Sequence, residues 1–498
     1  MFSGVFVFSI GVAQVPTYTI DDSFNTNTSF RGYGSVVDFH FLNDGRILIG
    51  GGFDEFLGGM GMIYPNGQLD NSWEGNGYEY YHVSKIIAQE DGYVWPTIYG
   101  LSKVILSGVP WPVAYQEFWG AYFVGGTFNP YNVLRVWDIY QMENGDLLLG
   151  GAIANDTLLP YELRGISRIH ADGSHDPTFP VLNITPNTAN GAVQKIYRAP
   201  DGAWYISGGF TAINGHETNR VARLTAEFEV DTTFVSPFVY DGIFAYSSNI
   251  ILVDSQSRLW VSGYLMNIQD NPDEIIQLIR LLPNGEVDTT FLPRTLENIY
   301  SGSWVDVPTI ALGAQELNNE PGKYIIYGQF NYFEDTLQPC ITVVNDAGSI
   351  QHNYFQDKGA TINVYNEAEN PMMPRIKMIK QRPDGSLLIG GGFSQFMGET
   401  RYSVVKLKQG FVGIEEPNQK IDLNLYPNPA SEKLNVSLQS AFAKSGVIYN
   451  AMGMQVLTFQ FENQETQVDI TTLQPGIYFL KVQLETGQVG VRKFVKIR

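Results

Sequence analysis

The sequence predicts an all-β chain, in which a ring of repeated sheets is followed by a small β-sandwich. Two observations carry this prediction. A turn followed by an apolar run and glycine recurs through residues 43–393, and about eighty C-terminal residues alternate strand-like runs with turns without that repeat. Aromatic residues make up 13% of the 498 residues and charged residues only 16%, which excludes disordered and coiled-coil proteins.

Net charge and cysteine content narrow the function classes. The formal charge of −20 argues against non-specific binding to nucleic acid or to an anionic membrane. The single cysteine, Cys340, excludes an intrachain disulfide and is expected to be a small buried residue in a strand. No apolar run reaches the ~18 residues of a membrane-spanning helix.

The first residues resemble the apolar core and cleavage region of a secretory signal peptide. FSGVFVFSIGVA at 2–13 ends in small residues and precedes Gln14. The usual basic start is missing, since no Lys or Arg precedes Arg31, and a start codon assigned too late explains this. We therefore expect residues 1–14 to be a signal-peptide-like segment truncated at its start. The alternative is a buried first strand.

The first repeated signature is a turn, an apolar run and glycine. Asp-Gly and Asn-Gly favour tight hairpins, and consecutive apolar residues are typical of strands buried on both faces. The turn positions lie 47 to 65 residues apart, close to the ~50 residues of a kelch unit, so each copy predicts a blade of four short strands. The copies are NDGRILIGGGF (43–53), EDGYVWPTIYG (90–100), ENGDLLLGGAI (143–153), PDGAWYISGGF (200–210), SQSRLWVSGYL (255–265), EPGKYIIYGQF (320–330) and PDGSLLIGGGF (383–393).

The second signature is Asp-x-(Ser/Thr)-aromatic, which we interpret as the hairpin between strands three and four, with the aromatic side chain packed between blades. The aspartates lack the D-x-[DN]-x-[DN]-G spacing of a calcium loop. An Asp that caps its own turn is the simpler interpretation. The copies are Asp21 to Phe24, Asp70 to Trp73, Asp176 to Phe179, Asp231 to Phe234 and Asp288 to Phe291, with degenerate versions ending at Phe128 and Phe355.

The order of the signatures predicts ring closure. Each of the first six cores is followed by an aromatic tail, the core at Gly385 has none, and an orphan tail, YTIDDSF at 18–24, precedes the first core. A closed ring explains this offset if the N-terminal strand completes the last blade, which also removes exposed sheet edges. We predict a seven-bladed propeller over residues 17–410 and a linker at 411–420.

The two signatures resemble the delta-60 repeat, which is common in large bacterial surface and secreted proteins. The resemblance covers most of residues 18–410 and is specific in four or five copies. Units two and five depart from it, because Gly92 leads into WPTIYG and Gln256-Ser257 replaces the Asp-Gly turn, so we expect irregular blades there. The family implies no general activity.

Residues 421–498 closely resemble the type A C-terminal sorting domain of the type IX secretion system, found in the Bacteroidota. The matching stretches are LYPNPASEKLNV, VIYNAMGMQV, DITTLQPGIYFLKVQ and VRKFVKIR. Seven strand-like runs suggest a small Ig-like β-sandwich. The resemblance implies passage across the inner membrane, recognition at the outer membrane, cleavage, and then release or attachment to surface lipopolysaccharide. The sorting-signal candidates are Tyr426, Pro427, Asn428, Pro429, Gly476, Tyr478, Lys493 and Lys496.

The basic end of this domain has two interpretations. Arg492, Lys493, Lys496 and Arg498 could dock an acidic receptor. The alternative is a solvated edge strand whose charges discourage aggregation.

Motifs for catalysis and for cofactors do not emerge from the sequence. None of the six histidines has metal-ligand spacing, and there is no G-x-S-x-G elbow or P-loop. We therefore expect no metal, no cofactor and no catalytic residue, and lean against an enzyme. The carboxylate-rich loop Asp270–Glu274 is a weaker candidate for binding a divalent ion.

Five aromatic residues in the Pro-bounded segment 109–122 are the candidate ligand-binding site, because aromatic faces stack on the CH groups of sugars. The alternative is that these rings fill the core of an irregular blade. They are Trp111, Tyr115, Phe118, Trp119 and Tyr122.

We expect a secreted or outer-membrane surface-attached protein that acts as a binding or adhesion module. The expected partners are the type IX secretion machinery through 421–498, surface lipopolysaccharide after processing, and a glycan or protein ligand. One alternative is a polysaccharide- or peptide-degrading enzyme with carboxylates from several blades in the central funnel. A purely structural surface protein is another.

Overall fold

The structure is a computed structural model of the chain. It describes residues 15–26, 35–52, 59–72, 83, 85–89, 92–97, 100–105, 135–154, 163–171, 174, 176–186, 193–239, 249–268, 271–300, 303–304, 309–318, 320–362, 373–412, 423–438, 443–450, 455–461, 463–484 and 489–497.

All regular secondary structure of the described residues is β-strand, and these residues contain no helix long and apolar enough to cross a membrane. One compact unit spans Pro16–Phe411, and Val412–Arg498 belongs to a second.

Seven main sheets follow one another through the described part of the first unit, and each contains one of the turn-and-run cores in its middle strand. All pairs with printed registers are antiparallel. The strands are, in sheet 1, β2 (Ser35–Phe41), β3 (Ile47–Gly52) and β4 (Met60–Ile63); in sheet 2, β5 (Ile87–Gln89), β6 (Gly92–Thr97) and β7 (Gly100–Ile105); in sheet 3, β8 (Arg135–Gln141), β9 (Leu147–Ala154) and β10 (Leu163–Ile169); in sheet 4, β12 (Val193–Arg198), β13 (Trp204–Gly208) and β16 (Val221–Leu224); in sheet 5, β17 (Asn249–Val253), β18 (Leu259–Ile268) and β19 (Asn271–Leu281); in sheet 6, β23 (Ile310–Glu316), β24 (Lys323–Gln329) and β27 (Ile341–Asn345); and in sheet 7, β29 (Arg375–Gln381), β30 (Leu387–Gly392), β33 (Val404–Val412) and β1 (Val15–Ile20).

Small sheets join neighbouring units. In three of them, a strand that follows the aromatic tail of one unit pairs with a hairpin that follows the middle strand of the next. Their strands are β11 (Ile184–Pro186) with β14 (Phe210–Ile213) and β15 (His216–Glu217), β20 (Leu296–Glu297) with β25 (Tyr332–Phe333) and β26 (Thr336–Leu337), and β28 (Ala360–Thr361) with β31 (Gln395–Phe396) and β32 (Glu399–Thr400); a separate hairpin pairs β21 (Ile299–Tyr300) with β22 (Ser303–Trp304).

The apolar runs are buried on both faces, as the sequence predicts. In sheet 1, Ile47 and Ile49 pack in a cluster with Leu388 and Val404 of sheet 7, whereas Leu48 packs in another with Ile86 beside sheet 2. Each such cluster joins two consecutive sheets, and the series returns from sheet 7 to sheet 1. The sheets therefore form a closed ring, a β-propeller.

The N-terminal segment closes this ring. Strand β1 is hydrogen-bonded to β33, and the Asp21 amide donates to the Lys406 carbonyl at 2.9 Å. Beside it, Tyr18 is fully buried and stacks on Phe355 with 5.4 Å between ring centroids. The prediction that this segment pairs with the last sheet is confirmed by these contacts.

The aromatic tails differ from the predicted hairpin. After the third strand of several sheets, the chain makes a single isolated bridge, such as Leu224 to Val230 and Leu281 to Val287. The aspartate turn follows at once and redirects the chain, so a full fourth strand does not form there. The tail aromatics that the structure describes are buried as predicted, and Phe179 contacts Phe228 of the next unit with 4.7 Å between ring centroids.

Two local expectations are changed by the structure. Ser257 has φ 61°, the left-handed conformation of the glycines in equivalent turns, because Asp254 accepts hydrogen bonds from the amides of Gln256 and Arg258 at 3.0 Å. The regular turn of unit five is therefore kept. The predicted loop at 270–274 is wrong from Asn271 onward, since β19 begins there.

The second unit has two sheets around one apolar core that includes Leu434, Ile448, Leu480 and Phe494. One sheet has the order β34-β35-β38 and the other β37-β36-β39-β40. The strands are β34 (Leu423–Tyr426), β35 (Lys433–Leu438), β36 (Ala443–Asn450), β37 (Gln455–Gln460), β38 (Glu465–Asp469), β39 (Gly476–Leu484) and β40 (Val489–Lys496).

Candidate functional site

The repeated aspartates form one structural motif. In each described copy a carboxylate oxygen accepts a hydrogen bond from the amide two residues later, at 2.8–3.2 Å, and from the hydroxyl of that same residue. The donors are Ser or Thr, which explains the third position of the signature. The turn-capping interpretation is therefore correct for Asp21, Asp70, Asp176, Asp231 and Asp288.

The other carboxylate oxygen of each aspartate meets a cation. Arg280, which has no exposed surface, bonds Asp288 at 2.7 Å, and Lys406 bonds Asp21 at 2.9 Å. Arg168 and Arg223 meet their own aspartates in the same way. In sheet 1 the partner of Asp70 is instead Arg46, directly after the turn glycine, at 2.9 Å.

These contacts hold the carboxylates in their charged form. Hydrogen bonds from Ser72, Arg46 and Tyr64 outweigh burial and lower the pKa of Asp70 to about 2. Both oxygens of each repeated aspartate thus serve the fold. Among the described residues, no group of three or more His, Cys, Asp or Glu is placed to hold a metal ion.

The aromatic candidates for ligand binding lie outside the described residues. This holds for all five of them: Trp111, Tyr115, Phe118, Trp119 and Tyr122. Cys340 is fully buried, and burial raises the pKa of its thiol to about 12.

The Tyr426–Pro429 turn of the second unit is clasped to the last strand. Both X-Pro bonds, Tyr426-Pro427 and Asn428-Pro429, are cis. The Asn428 side chain accepts from the Val495 amide at 3.0 Å and donates to the Lys493 carbonyl at 3.2 Å. The turn and the last strand, far apart in sequence, therefore form one surface feature.

Gly476 and Tyr478 lie on the strand beside the last one. Gly476 pairs with Lys496, and the Tyr478 ring stacks on Phe494 with 5.6 Å between centroids. The Tyr478 hydroxyl donates to the Gln474 carbonyl at 2.7 Å. The structure thus brings the sorting-signal candidates together along β39, β40 and the turn.

Lys496 differs from its predicted role as an exposed basic residue. It is only 7% exposed and its ammonium donates to the Ile497 carbonyl at 2.7 Å. The reason is strand alternation: Lys496 shares the inward side of β40 with Phe494, whereas Lys493 is exposed. Among the described basic residues of β40, Arg492 and Lys493 are therefore exposed to a partner, whereas Lys496 is not.

Sequence reasoning missed an apolar surface on this unit. Ile477 and Phe479 are 44% and 39% exposed, on the face of β39 opposite the buried Tyr478 and Leu480. The exposed Lys481 shares their face, and Lys493 pairs with Phe479. Consecutive apolar residues in GIYFL signal this arrangement, because only alternate residues of the strand can point into one core.

Two known families match parts of the chain. One, described as a secretion system C-terminal sorting domain, matches residues 424–497. Residues 424–497 are a secretion system C-terminal sorting domain. This sorting domain marks the chain for export by the type IX secretion machinery to the cell surface, as in the Bacteroidota. The other family, a domain of unknown function (DUF5122) described as a β-propeller, matches residues 199–234 and 382–409, in agreement with the delta-60 resemblance.

Two similar solved structures are distant from this chain in sequence. PorZ, a surface component of the type-IX secretion system of Porphyromonas gingivalis, shares 15% identity at TM-score 0.37, over 94% of this chain and 60% of that one. The extracellular domain of a one-component system of B. thetaiotaomicron shares 11% at TM-score 0.39, over 96% and 58%. The chain thus spans about three fifths of the length of these two proteins.

A third similar structure is the WD40 domain of Neurospora crassa Pan2, with 11% identity and TM-score 0.39, over 76% of this chain and 90% of that one. The comparison with curated proteins gives no match.

Proposed function

We propose that the chain is an exported propeller protein that acts as a binding or adhesion module and is delivered by its sorting domain. In this proposal the seven main sheets are the blades of a seven-bladed propeller over residues 17–410. Residues 421–498 are an Ig-like sandwich, joined to it by a linker at 411–420. The N-terminal segment 1–14 is a signal-peptide-like segment.

The observation that carries the proposal is that the chain forms two units, each with its own hydrophobic core. The sorting domain packs around Leu434, Ile448 and Leu480, and the propeller is held by its own inter-sheet clusters. A secretion system can therefore recognise one unit while the other is displayed.

The engaged aspartates support display rather than polymer cleavage. The five equivalent carboxylates are bound to Ser or Thr and to Arg or Lys of their own surroundings. They hold the fold rigid, and a rigid ring suits loops that present a binding surface. We place that surface on the aromatic segment, at Trp111, Tyr115, Phe118, Trp119 and Tyr122.

The binding role is tested with a glycan array and whole-polysaccharide pull-downs on residues 15–411. We expect capture of a glycan, reduced at least tenfold by Trp111→Ala and Trp119→Ala. Exposed Leu292→Ala, which removes an apolar side chain elsewhere, is the matched control. Capture of nothing, together with turnover of any polymer, would contradict a binding module and favour the enzyme.

We place recognition by the secretion machinery on the exposed face of Ile477, Phe479, Lys481 and Lys493. Phe479→Ser should leave stability nearly unchanged, because this ring is partly in water, but lower surface delivery in the native host. Val181→Ser on the propeller is the control with similar exposure, 41% against 39%. Full delivery of the Phe479→Ser protein would remove this face from the sorting signal.

We further propose attachment to surface lipopolysaccharide after processing. A host strain lacking the polysaccharide part of that lipid should release the protein into the medium in processed form. Retention on the cell surface in such a strain would contradict this attachment.

A further inference from the structure

The first strands of the sheets line the centre of the ring. Strands β8, β12, β17, β23, β29 and β2 contact one another in succession, and we call the space they enclose the lumen. Six of these strands carry a bulge at the same place, for example between Ile376 and Met378 in β29 and between Val193 and Lys195 in β12. The bulge turns one extra side chain of each strand out of the ladder.

Two carboxylates near the lumen are fully engaged. Asp38 bonds Lys380 at 2.9 Å and accepts from the Ile86 amide at 2.7 Å. Asp138 bonds Lys85 at 2.8 Å and accepts from the amide of Ile196 at 3.0 Å. Each aspartate thus links three consecutive sheets, since Lys85 and Ile86 directly precede β5 of sheet 2.

Three further cations form no ion pair within 4 Å of a carboxylate among the described residues. Arg375 and Lys377 lie on β29, with Lys377 at the bulge, and Lys195 lies on β12 of sheet 4. Burial and the charges of Arg375 and Lys195 lower the pKa of Lys377 to about 8. Lys195 is also near Asp138, so the excess positive charge is concentrated on Arg375 and Lys377.

A buried hydroxyl completes the group. Ser35 is only 7% exposed, and its Oγ has no hydrogen-bond partner among the described residues. A Cβ built on Gly392 would lie 3.6 Å from Ser35 Oγ and 3.5 Å from Arg375 Nε. Gly392 therefore leaves open the space between a neutral donor of β2 and a guanidinium of β29.

We propose that Ser35, Arg375 and Lys377 form an oxyanion site at the seam of sheets 1 and 7, which binds the carboxylate or sulfate group of an acidic sugar. Arg375 and Lys377 are partly buried, and an anion bound beside them would compensate the cost of removing their charges from water. A guanidinium beside a hydroxyl and an ammonium supplies charge-assisted donors to such a group. The negative net charge of the chain does not prevent anion binding, because the charges closest to the site determine its affinity for an anion. The site is independent of the aromatic segment at 109–122.

The test measures the melting temperature of the full chain with glucuronate, with glucose, and with sulfate against chloride at equal ionic strength. Binding at ten times the apparent Kd should raise the melting temperature by roughly 2 °C. We expect a rise with glucuronate and not with glucose, and an apparent Kd at least tenfold weaker in Lys377→Met and Arg375→Gln. Lys358→Met, at an exposed lysine, is the matched control.

Lys377→Met removes like-charge repulsion, so this variant should fold at least as well as the parent, and Ser35→Ala provides a second variant of nearly equal volume. No rise with any anion overturns the site. An equal rise in the parent, Lys377→Met and Ser35→Ala also overturns it, since general salt effects act on all variants alike. A rise with sulfate alone that the variants lose overturns the acidic sugar and leaves an inorganic anion.

Discussion

We call the contact between two neighbouring sheets a seam. The same contacts form the seam of sheets 4 and 5 and the seam of sheets 7 and 1, but different parts of the chain supply them. In the first, the Asp231 amide donates to the Arg223 carbonyl at 3.0 Å and the Val235 amide to that of Asn284 at 3.0 Å. In the second, the Asp21 amide donates to Lys406 at 2.9 Å, and the Asn25 amide donates to Asn66 at 2.8 Å. The N-terminal segment thus substitutes for a tail that the last unit lacks.

The comparison shows that a seam depends on the residues of the repeat and not on how close they are in the chain. Asp231 follows Arg223 by 8 residues, whereas Asp21 precedes Lys406 by 385. Loop closure costs about (3/2)RT ln n, so the longer separation adds only about 3 kcal/mol. The buried side chains Tyr18 and Phe24 offset this cost.

The largest loss of stability is expected for the aspartate whose cationic partner is the most deeply buried. Arg280 has no exposed surface, and in Asp288→Ala its remaining carboxylate partner among the described residues is the half-exposed Asp346, at 3.1 Å. Loss of the buried partner should therefore lower the free energy of unfolding by about 3–4 kcal/mol. Urea denaturation measures this value. Phe291→Leu, which keeps the charge pair, is the control, and a loss from Asp288→Ala below that of the control would break the link between burial and seam strength.

The turn glycines sharpen the comparison between the two seams. Gly285 has φ 93° and its Cβ would lie 2.1 Å from the Val235 carbonyl oxygen, whereas Gly67 has φ 86° and its Cβ would lie 3.0 Å from the Asn25 backbone. Gly285→Ala should therefore cost about 3 kcal/mol and Gly67→Ala about 1–2 kcal/mol. Gly215→Ala, with φ 79° and nothing within 4 Å, isolates the backbone contribution; equal losses at all three would contradict the close approach.

The charge pairs of the two seams should be equivalent. The Arg223 and Asp231 side chains are 20% and 12% exposed, and those of Lys406 and Asp21 are 21% and 13% exposed. Asp231→Ala and Asp21→Ala should each cost about 1–2 kcal/mol, including the lost turn cap. A much smaller loss for Asp21→Ala in denaturation experiments would mean that the closing seam is looser than the internal one.

Acid titration gives the smallest effect. Burial raises the pKa of both Asp21 and Asp231, but hydrogen bonds from Ser23 or Thr233 and the neighbouring cation outweigh it, so both are lowered. Their stabilisation is complete above the ordinary carboxyl pKa near 4 and is lost as pH falls through the lower folded value. Asp21→Asn and Asp231→Asn should reduce the pH dependence of the free energy of unfolding below pH 4 to the same extent. A reduction in only one of the two variants would show that the seams differ.

Much of the propeller could be predicted from the sequence, because its signatures are local. Ile47 to Ile49 read as a run buried on both faces, and Asp21 reads as the cap of an orphan tail. The cation eight residues before Asp176, Asp231 and Asp288 is an equally local signal of the ion pair.

Other features depend on register and could not be predicted. Burial of Lys496 follows from which side of β40 faces the core. Ser35 and Arg375 both lie beside Gly392 because the ring closes there, which no spacing in the sequence indicates. The same is true of the bulge at Lys377. The aromatic residues at 109–122 stay a prediction.

Peptide complementation tests ring closure most directly. A chain that starts at residue 27 is compared with one that starts at residue 15, and a peptide of residues 15–26, VPTYTIDDSFNT, is added to the shorter chain. The account predicts a lower melting temperature for the shorter chain, restored by this peptide but not by one in which Tyr18 is replaced by Ser. An unchanged melting temperature in the shorter chain, or no recovery with the peptide, would contradict a ring closed by its N-terminal strand.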